Sequence, residues 1–383
     1  MNSDSILYIG VDDHDLDLFE SQYVVPNGVS YNSYVIMDDK IAVMDTTDGR
    51  KVDEWLENLS AALQGRTPDY LVVHHMEPDH SSAIKAVAER YPAMQLVGNA
   101  KTFAMAQQFF GEGFQQRQVV VKEGDTLELG HHTLQFFTAP MMHWPEVMVS
   151  YESTEKVLFS ADGFGKFGTL DTREDWDCEA RRYYFNIMGK YGAQVRSLLK
   201  KTAALDIRTI CPLHGPILTG DLSHYLELYD IWSGYRPENK GVLVACASIH
   251  GHTRDAARLL ADKLSARGEK VAFADLTRDD MAEAVEDAFR YDRMVVACCT
   301  YDGGLFPPAE EFIAHLKAKS YQSRTVGLME NGSWAPAAGK LMKAAFEGMK
   351  NITVLEPVVS IRSALNADSE AAMDRLAEEL TRE

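Results

Sequence analysis

The residues best suited to chemistry begin where the apolar run Tyr70-Leu71-Val72-Val73 gives way to His74-His75-Met76-Glu77-Pro78-Asp79-His80. The pattern HxExDH on a loop at the end of a strand, with Pro78 fixing part of the backbone, can turn His75, Glu77, Asp79 and His80 toward one point. Imidazole and carboxylate ligands together suit first-row metals. A pair of ions sharing a carboxylate needs about seven such residues, more than one loop supplies. Three later positions have the right character: His143 in PMMHWPE, Asp162 in SADGFG and His214 in PLHGP. Each follows a strand-like run, and Gly163 and Gly165 permit tight turns around Asp162. Ligands projecting from several strand ends onto one sheet edge are a common way for an α/β scaffold to build a site. His74 is expected to point away, because adjacent strand residues alternate sides. His14, His131, His132, His224 and His315 lack such context and read as surface or packing residues.

A second constellation lies in the last third of the chain. Ser248-Ile249-His250-Gly251-His252-Thr253 follows an apolar strand and opens a helix. Backbone N–H groups, hydroxyl donors and the helix dipole there suit a phosphate. No GK[ST] follows, and no GxGxxG is present, so neither a nucleotide P-loop nor a dinucleotide fingerprint is encoded. A monophosphate such as that of FMN needs neither. Thr300-Tyr301-Asp302-Gly303-Gly304 and Asn331-Gly332-Ser333-Trp334 follow two further strands, so Tyr301 and Trp334 could flank a planar isoalloxazine that the glycines admit closely. All three loops resemble those of flavodoxin. Many relatives carry a second aromatic two residues beyond the position of Trp334, where this chain has Pro336.

Elements must exist to place these loops. From 242 onward, apolar runs at 242–247, 271–276, 294–300, 326–329 and 353–359 alternate with amphipathic stretches near 253–267, 279–290, 309–319, 339–350 and 368–382. Alternation of that kind predicts a doubly wound, flavodoxin-like parallel sheet. Upstream, strands are expected at 5–11, 29–37, 40–45, 118–129, 132–139, 146–151 and 156–160, with helices near 51–64, 81–91, 100–110 and 174–203. That pattern suggests an α/β sandwich of two mixed sheets. The segment RPENKG at 236–241 divides the two regions, giving expected domains 1–237 and 238–383.

Composition bounds the function. The 383 residues carry 38 Lys and Arg against 57 Asp and Glu, a net charge of −19, with 46% hydrophobic residues. No basic patch is visible to offset that charge, so nucleic acid and anionic membrane are not expected partners. No window of 18 apolar residues and no secretion signal occurs, and a cytoplasmic location is expected. The five cysteines form no CxxC pair, which argues against a disulfide framework, a rubredoxin-type iron site and a zinc ribbon.

HxExDH followed by an isolated His, an Asp and an HG dipeptide resembles the metallo-β-lactamase fold in its flavodiiron variant. The hydrolytic relatives carry HxHxDH. Here Glu77 stands in place of the second His, and the added carboxylate favours iron cycling between two oxidation states. YNSYVI at 31–36, DTTDG at 45–49, APMMHWPE and FSADGFG also resemble that family, so the likeness covers nearly the whole chain. It implies an N-terminal αββα sandwich and a C-terminal flavodoxin-like domain. By the same resemblance His75, Glu77 and His143 would hold one iron, Asp79, His80 and His214 the other, and Asp162 would bridge. His80 does not ligate in some members. Tyr191 resembles a tyrosine that stands behind the ligands in the family.

The function this implies is an oxidoreductase in which electrons enter at FMN and pass singly to two irons that reduce O2 to water, NO to N2O, or both. A head-to-tail homodimer, or a tetramer built from it, would bring the FMN of one chain beside the iron of another. The chain ends after the second domain with no CxxC pairs, so an external donor is expected, a rubredoxin or other small redox carrier; some archaeal relatives use a reduced deazaflavin. Two rivals remain open: a dizinc hydrolase acting on a phosphodiester or thioester, and an electron carrier or redox sensor using the flavin alone.

Overall fold

The computed structural model describes residues 3–382, which form two compact units, Met1–Asp230 and Ile231–Glu383. The division falls inside the helix Ser223–Ser233, upstream of RPENKG. Within the second unit, Trp232 Nε1 donates to Glu238, and the buried Arg324 guanidinium donates to the carbonyl of Tyr235.

The first unit is built on two six-stranded mixed sheets. One runs in the order Ile6–Tyr8, Tyr34–Ile36, Ala42–Met44, Tyr70–Val72, Gln95–Gly98, Gln118–Val120; the other Thr126–Glu128, Thr133–Thr138, Met148–Glu152, Val157–Phe159, Thr209–Cys211, Leu218–Thr219. Strand alternation decides what each face meets. In the first sheet, Tyr34, Ile36, Ala42, Met44, Tyr70, Val72 and Val97 face the second sheet and pack on Leu134, Phe136, Met148, Val157 and Phe159. Their neighbours Val35, Val43, Leu71 and Leu96 face the other way, onto Trp55 and Leu59 of the helix Val52–Leu63, Val87 of Ile84–Arg90 and Phe103 of Ala100–Phe110. Both faces of these strands are buried, which explains their near-continuous apolar runs. The helix Gly192–Thr202 lies against Thr133–Thr138 on the outer side of the second sheet. The layering is αββα.

Three expected segments are broken. The 29–37 strand is two strands, Val29–Tyr31 pairing Val11–Asp13 and Tyr34–Ile36 in the first sheet, because Asn32 between them is drawn to the carbonyls of Pro212 and Gly215 at 2.8 and 2.7 Å. The 118–129 strand turns at Lys122–Asp125, where the Asp125 carboxylate accepts the Lys122 N–H, and its halves enter different sheets. The 174–203 helix becomes Trp176–Tyr183, a π-turn Tyr184–Met188, a 3₁₀ turn Gly189–Tyr191 and Gly192–Thr202.

The second unit is built on a parallel sheet in the order Val271–Asp275, Asn239–Ala247, Tyr291–Tyr301, Thr325–Asn331, with Thr353–Val354 and Val359–Ile361 both pairing Thr325–Asn331, and with the short Gly304–Leu305 added antiparallel to Tyr291–Tyr301. The expected strand at 353–359 is therefore two short pieces. This is the doubly wound flavodoxin-like order, whose reversal point lies at the carboxyl ends of the first and third strands. Val242, Val244, Cys246, Val295 and Ala297 pack beneath Leu260 and Leu264 of His252–Ala266 and Leu376 and Leu380 of Ala367–Thr381. Among the described residues, no helix is long and apolar enough to cross a membrane.

Leu71 is fully buried in the layer between the first sheet and its helices. Leu71→Ala is expected to cost about 2–5 kcal/mol, because the surrounding helices cannot close the cavity. Urea titration followed by tryptophan fluorescence, with Trp55 in the same cluster, measures the loss.

Candidate functional sites

Each chemical residue of the first unit sits just beyond a strand, and buried hydrogen bonds fix each turn. After Tyr70–Val72, Asp45 Oδ1 accepts the His74 N–H at 2.7 Å, while Oδ2 lies 2.5 Å from His74 Nδ1. His74 Nε2 meets Ser150 Oγ at 2.7 Å, so this ring faces away from its neighbour His75, as strand alternation predicts. Thr46 Oγ1 donates to the His80 carbonyl at 2.6 Å and holds the short helix Pro78–Ser81. Beyond Val157–Phe159, Gly163 N–H returns to the Ser160 carbonyl, and a Cβ on Gly163 would lie 2.9 Å from that oxygen. Beyond Thr209–Cys211, the His214-Gly215 turn is clasped by Ser30 and Asn32: the Ser30 carbonyl takes His214 Nδ1–H at 2.8 Å, and Ser30 Oγ accepts Gly215 N–H. Asp45, His143 and Ala161 all have left-handed φ, 57°, 56° and 50°. Strain of this kind costs on the order of 1–3 kcal/mol per residue and persists only where the surroundings impose it.

Two donor clusters result. In the first, His75 Nε2 lies 3.1 Å from Glu77 Oε2 and 3.1 Å from His143 Nε2. In the second, His80 Nε2 lies 3.0 Å from His214 Nε2, and His214 Nε2 lies 3.3 Å from Asp79 Oδ2. Asp162 spans them, with Oδ2 at 2.7 Å from His143 Nε2 and Oδ1 at 3.2 Å from His80 Nε2. All seven residues proposed as ligands from the sequence are brought together.

The arrangement fits metal ions. His75 and His214 each spend the Nδ1 proton on an outer acceptor, so their Nε2 lone pairs point inward at other acceptors. Both oxygens of Asp79, and Oδ1 of Asp162, are buried without a hydrogen-bond donor. Converging lone pairs in a buried site call for cations. Electrostatics agree. Burial works against charge on His75, and Asp162, Glu146 and Glu77 overcome it, holding its pKa well above the usual imidazole value. Burial likewise opposes His214, and Asp79 and Asp162 raise it. Burial opposes the Asp162 carboxylate, yet His75, His143 and His80 hold it well below its ordinary range.

Sequence reading missed Glu146, although it lies within the quoted APMMHWPE. Its Oε1 is 2.8 Å from His75 Nδ1 and accepts the Met76 N–H at 2.8 Å. Burial raises its pKa, but His75 and Met76 lower it further, so the carboxylate stays charged. Tyr191 is half-buried at the start of Gly192–Thr202, with the Lys190 ammonium 5.8 Å above the Tyr191 ring. The tyrosine beside the donors is Tyr183, with its ring 5.5 Å from that of His214 and its hydroxyl buried without a partner. Burial first, then the charges of Asp162, Glu77 and Asp79, push its pKa well up. The π-turn between the two tyrosines resets the helical phase on which a sequence argument depends. A cavity of about 280 Å³ reaches Glu77 and Asp79, lined also by Phe19, Tyr31, Asp48 and Arg50.

In the second unit a cavity of about 680 Å³ opens at the carboxyl ends of the strands. Ser248, Ile249, His250, His252 and Thr253 line it, as do Thr300, Tyr301, Asp302 and Gly303, and Asn331, Gly332, Ser333 and Trp334. Gly251 and Gly304 do not. Gly251, at φ 96°, instead makes the turn into the helix His252–Ala266, and Gly304 pairs with Tyr301 in a hairpin. Thr300 has a second duty, because its Oγ1 accepts the N–H groups of Ala337 and Ala338 and starts the helix Ala338–Glu347. Ser363, past the last strand, joins the lining and exchanges hydrogen bonds with Asn331. A Cβ on Gly332 would meet Pro336 Cα at 2.8 Å, so Pro336 packs directly on the loop. The cavity lies within the size range of cofactor sites and is flanked by aromatics and a helix N-terminus, which suits a flavin mononucleotide.

Comparison with known proteins agrees with this layout. The profile described as ODP family beta lactamase matches residues 29–215. A nitric oxide reductase of Moorella thermoacetica is 27% identical over 93% of this chain and 91% of its own length. The solved rubredoxin oxygen:oxidoreductase of Desulfovibrio gigas superposes with a TM-score of 0.92 at 24% identity, covering 99% of this chain and 97% of that one. The flavodiiron protein of Giardia intestinalis gives 0.89 at 23% identity, with 99% and 96% covered. Over nearly its whole length the chain is similar in fold to flavodiiron proteins. It spans 63% of a longer relative, a putative diflavin flavoprotein of Synechocystis, to which it is 28% identical. The fold joins a metallo-β-lactamase-like unit to a flavodoxin-like one.

Two outcomes follow. Protons and metals compete for the imidazoles of His75 and His214, whose pKa values are raised in the site, so bound metal is expected to leave as pH falls through those raised values. Metal retained per chain after dialysis across a pH series measures this. Tyr183→Phe is expected to fold with undiminished stability, because an unpartnered buried hydroxyl contributes none, whereas turnover falls. Tyr191→Phe leaves turnover unchanged. Thermal melts and gas-consumption assays separate the two.

Proposed function

We propose that this chain is a reductase of diatomic gases, taking electrons at an FMN held in the second unit and delivering them to two irons held in the first. The observation that carries the reading is the shared carboxylate of Asp162, with one oxygen turned to each imidazole pair. On this reading His75, Glu77 and His143 hold one iron, and Asp79, His80 and His214 the other. Two adjacent irons supply two electrons together at one place, which is what a diatomic molecule requires. Reduction of O2 to two waters takes four electrons and four protons. Reduction of two NO to N2O and one water takes two of each. The names of the relatives support both substrates: one is a nitric oxide reductase and another a rubredoxin oxygen:oxidoreductase.

The chain's own residues bind and orient. Glu146 and Ser30 fix the rings of His75 and His214, Asp45 holds the backbone of the loop that carries His75, and the cavity beside Glu77 and Asp79 gives a small molecule room next to the donors. Tyr183 places a hydroxyl with a firmly held proton against the same cluster, able to donate to a polar molecule there. At the other site, Ser248, Thr253 and the start of His252–Ala266 are arranged for a phosphate, and Tyr301 and Trp334 for ring faces.

The electron donor on this reading is a rubredoxin or a similar small redox carrier, as the Desulfovibrio name indicates for that protein. A head-to-tail homodimer, alone or doubled into a tetramer, fits the rim of the flavin cavity. There Trp334 is 90% exposed, Tyr301 46% and Ile249 43%, an amount of apolar surface that a second copy would cover. Five free cysteines suit the reducing cytoplasm.

Protein expressed with ample iron and purified without oxygen is expected to hold near two irons and one FMN per chain, by metal analysis and flavin absorbance. Asp162→Asn and His143→Ala are expected to abolish consumption of O2 and NO while FMN stays bound. Full turnover in either variant would remove the ligand assignment. Zinc in place of iron, with hydrolysis of a phosphodiester, would favour the hydrolase.

A further inference from the structure

The two donor clusters are alike in composition and unlike in what stands behind them. Behind His75 is a whole carboxylate. Glu146 is fully buried, its Oε1 lies 2.8 Å from His75 Nδ1, and its Oε2 has no partner among the described residues. That negative charge is offset through the His75 ring, the Met76 N–H and the backbone N–H of Glu146 itself. Behind His214 stands a neutral acceptor, the Ser30 carbonyl at 2.8 Å. Behind His80 there is none, since its Nδ1 is buried without a hydrogen-bond partner among the described residues. An imidazole N–H given to a carboxylate moves electron density toward the opposite nitrogen and strengthens it as a ligand. A carbonyl does so less, because a charge-assisted hydrogen bond is roughly twice as strong as a neutral one. Oxidation of a metal adds positive charge, so the more electron-rich ligand set favours the oxidised ion.

We propose that Glu146 makes the two metal positions unequal, so that the iron held by His75, Glu77 and His143 is oxidised before the iron held by Asp79, His80 and His214. This rests on the diiron reading above and adds an order to it. On reduction the sequence reverses: the first electron to arrive settles at the Asp79, His80 and His214 position, and the second at the His75 position. The pair becomes fully reduced only when the His75 position fills. Glu146 is a positioning residue in this account, acting through His75.

The test uses the full chain loaded with iron, and iron content is measured first. Fewer than two irons per chain would remove the diiron reading itself, and the inference with it. With two present, crystals of the reduced wild type are treated without oxygen with one equivalent of ferricyanide per iron pair. One electron leaves each pair and the oxidant becomes ferrocyanide. Site-resolved anomalous scattering at the iron edge then reads each position. The expected result is a ferric edge at the His75 position and a ferrous edge at the other. Equal edges, or the reverse order, would overturn the proposal. Glu146→Gln keeps an oxygen for His75 Nδ1–H and Met76 N–H but removes the charge. In a potentiometric titration its two one-electron steps are expected to draw together, with the lower step moving up, and Glu146→Asp is expected to restore their separation. Unchanged steps in Glu146→Gln would also overturn it. Should that variant fail to retain iron, the wild-type edge measurement decides alone.

Discussion

Everything in the first unit depends on three carboxylates, Glu77, Asp79 and Asp162, and four imidazoles crowded at one edge of a protein interior. Ionised groups are not left bare there, because desolvation is never recovered without a partner of opposite charge. Three acceptor oxygens on Asp79 and Asp162 nevertheless have no formed hydrogen bond among the described residues. Two of the imidazole protons that could have served are committed outward, to Glu146 and to Ser30. The chain has arranged its own hydrogen bonding so that the centre cannot satisfy itself. A fold with that property is stable in use only when cations complete it, which is why metal binding and stability are linked here.

Holding such a centre open has a structural cost that falls on the turns. Left-handed backbone at Asp45, His143 and Ala161 brings side chains from three separate strand ends to one place. The double sheet makes this possible. With both faces of its central strands covered, the strand ends are rigid enough to impose conformations that the residues themselves disfavour. The hydrogen bonds doing the clamping come from short motifs near the start of the chain: Ser30 and Asn32 grip the His214 turn, while Asp45 and Thr46 grip the His74–His80 loop.

How much of this was legible in the sequence depended on whether the signal was local. The HxExDH loop, the isolated His143, Asp162 and His214 could be read because each combined a distinctive side chain with a preceding apolar strand. The parallel sheet of the second unit could be read because its strands and helices alternate with no interruption. Tyr183, whose ring lies 5.5 Å from that of His214, was not singled out because the π-turn Tyr184–Met188 that follows it has no signature in composition. Glu146 was passed over because a glutamate beside Pro145 looks like any surface carboxylate until its burial is known. The split of 29–37 into two strands was invisible because its cause, the reach of Asn32 to Pro212 and Gly215, spans most of the first unit.

The two sites meet opposite physical demands, and their architectures differ accordingly. Metal ligands must be charged or bear lone pairs, must not reorganise when an electron arrives, and must exclude competing water; burial and strain serve all three. A flavin site exchanges electrons with partners that come and go, so part of its ring must stay near the surface. The cavity at the ends of the parallel strands provides this. Its floor is fixed by buried residues such as Thr253 and Asn331, its phosphate end by a helix start, and its rim by aromatics left largely in solvent. The rim is therefore where this chain can differ from its relatives without disturbing the fold. Pro336, packed on Gly332, shapes that rim rather than the sheet beneath it. The metal centre allows less freedom, because His75 and His214 there are held by Glu146 and Ser30, which are themselves buried.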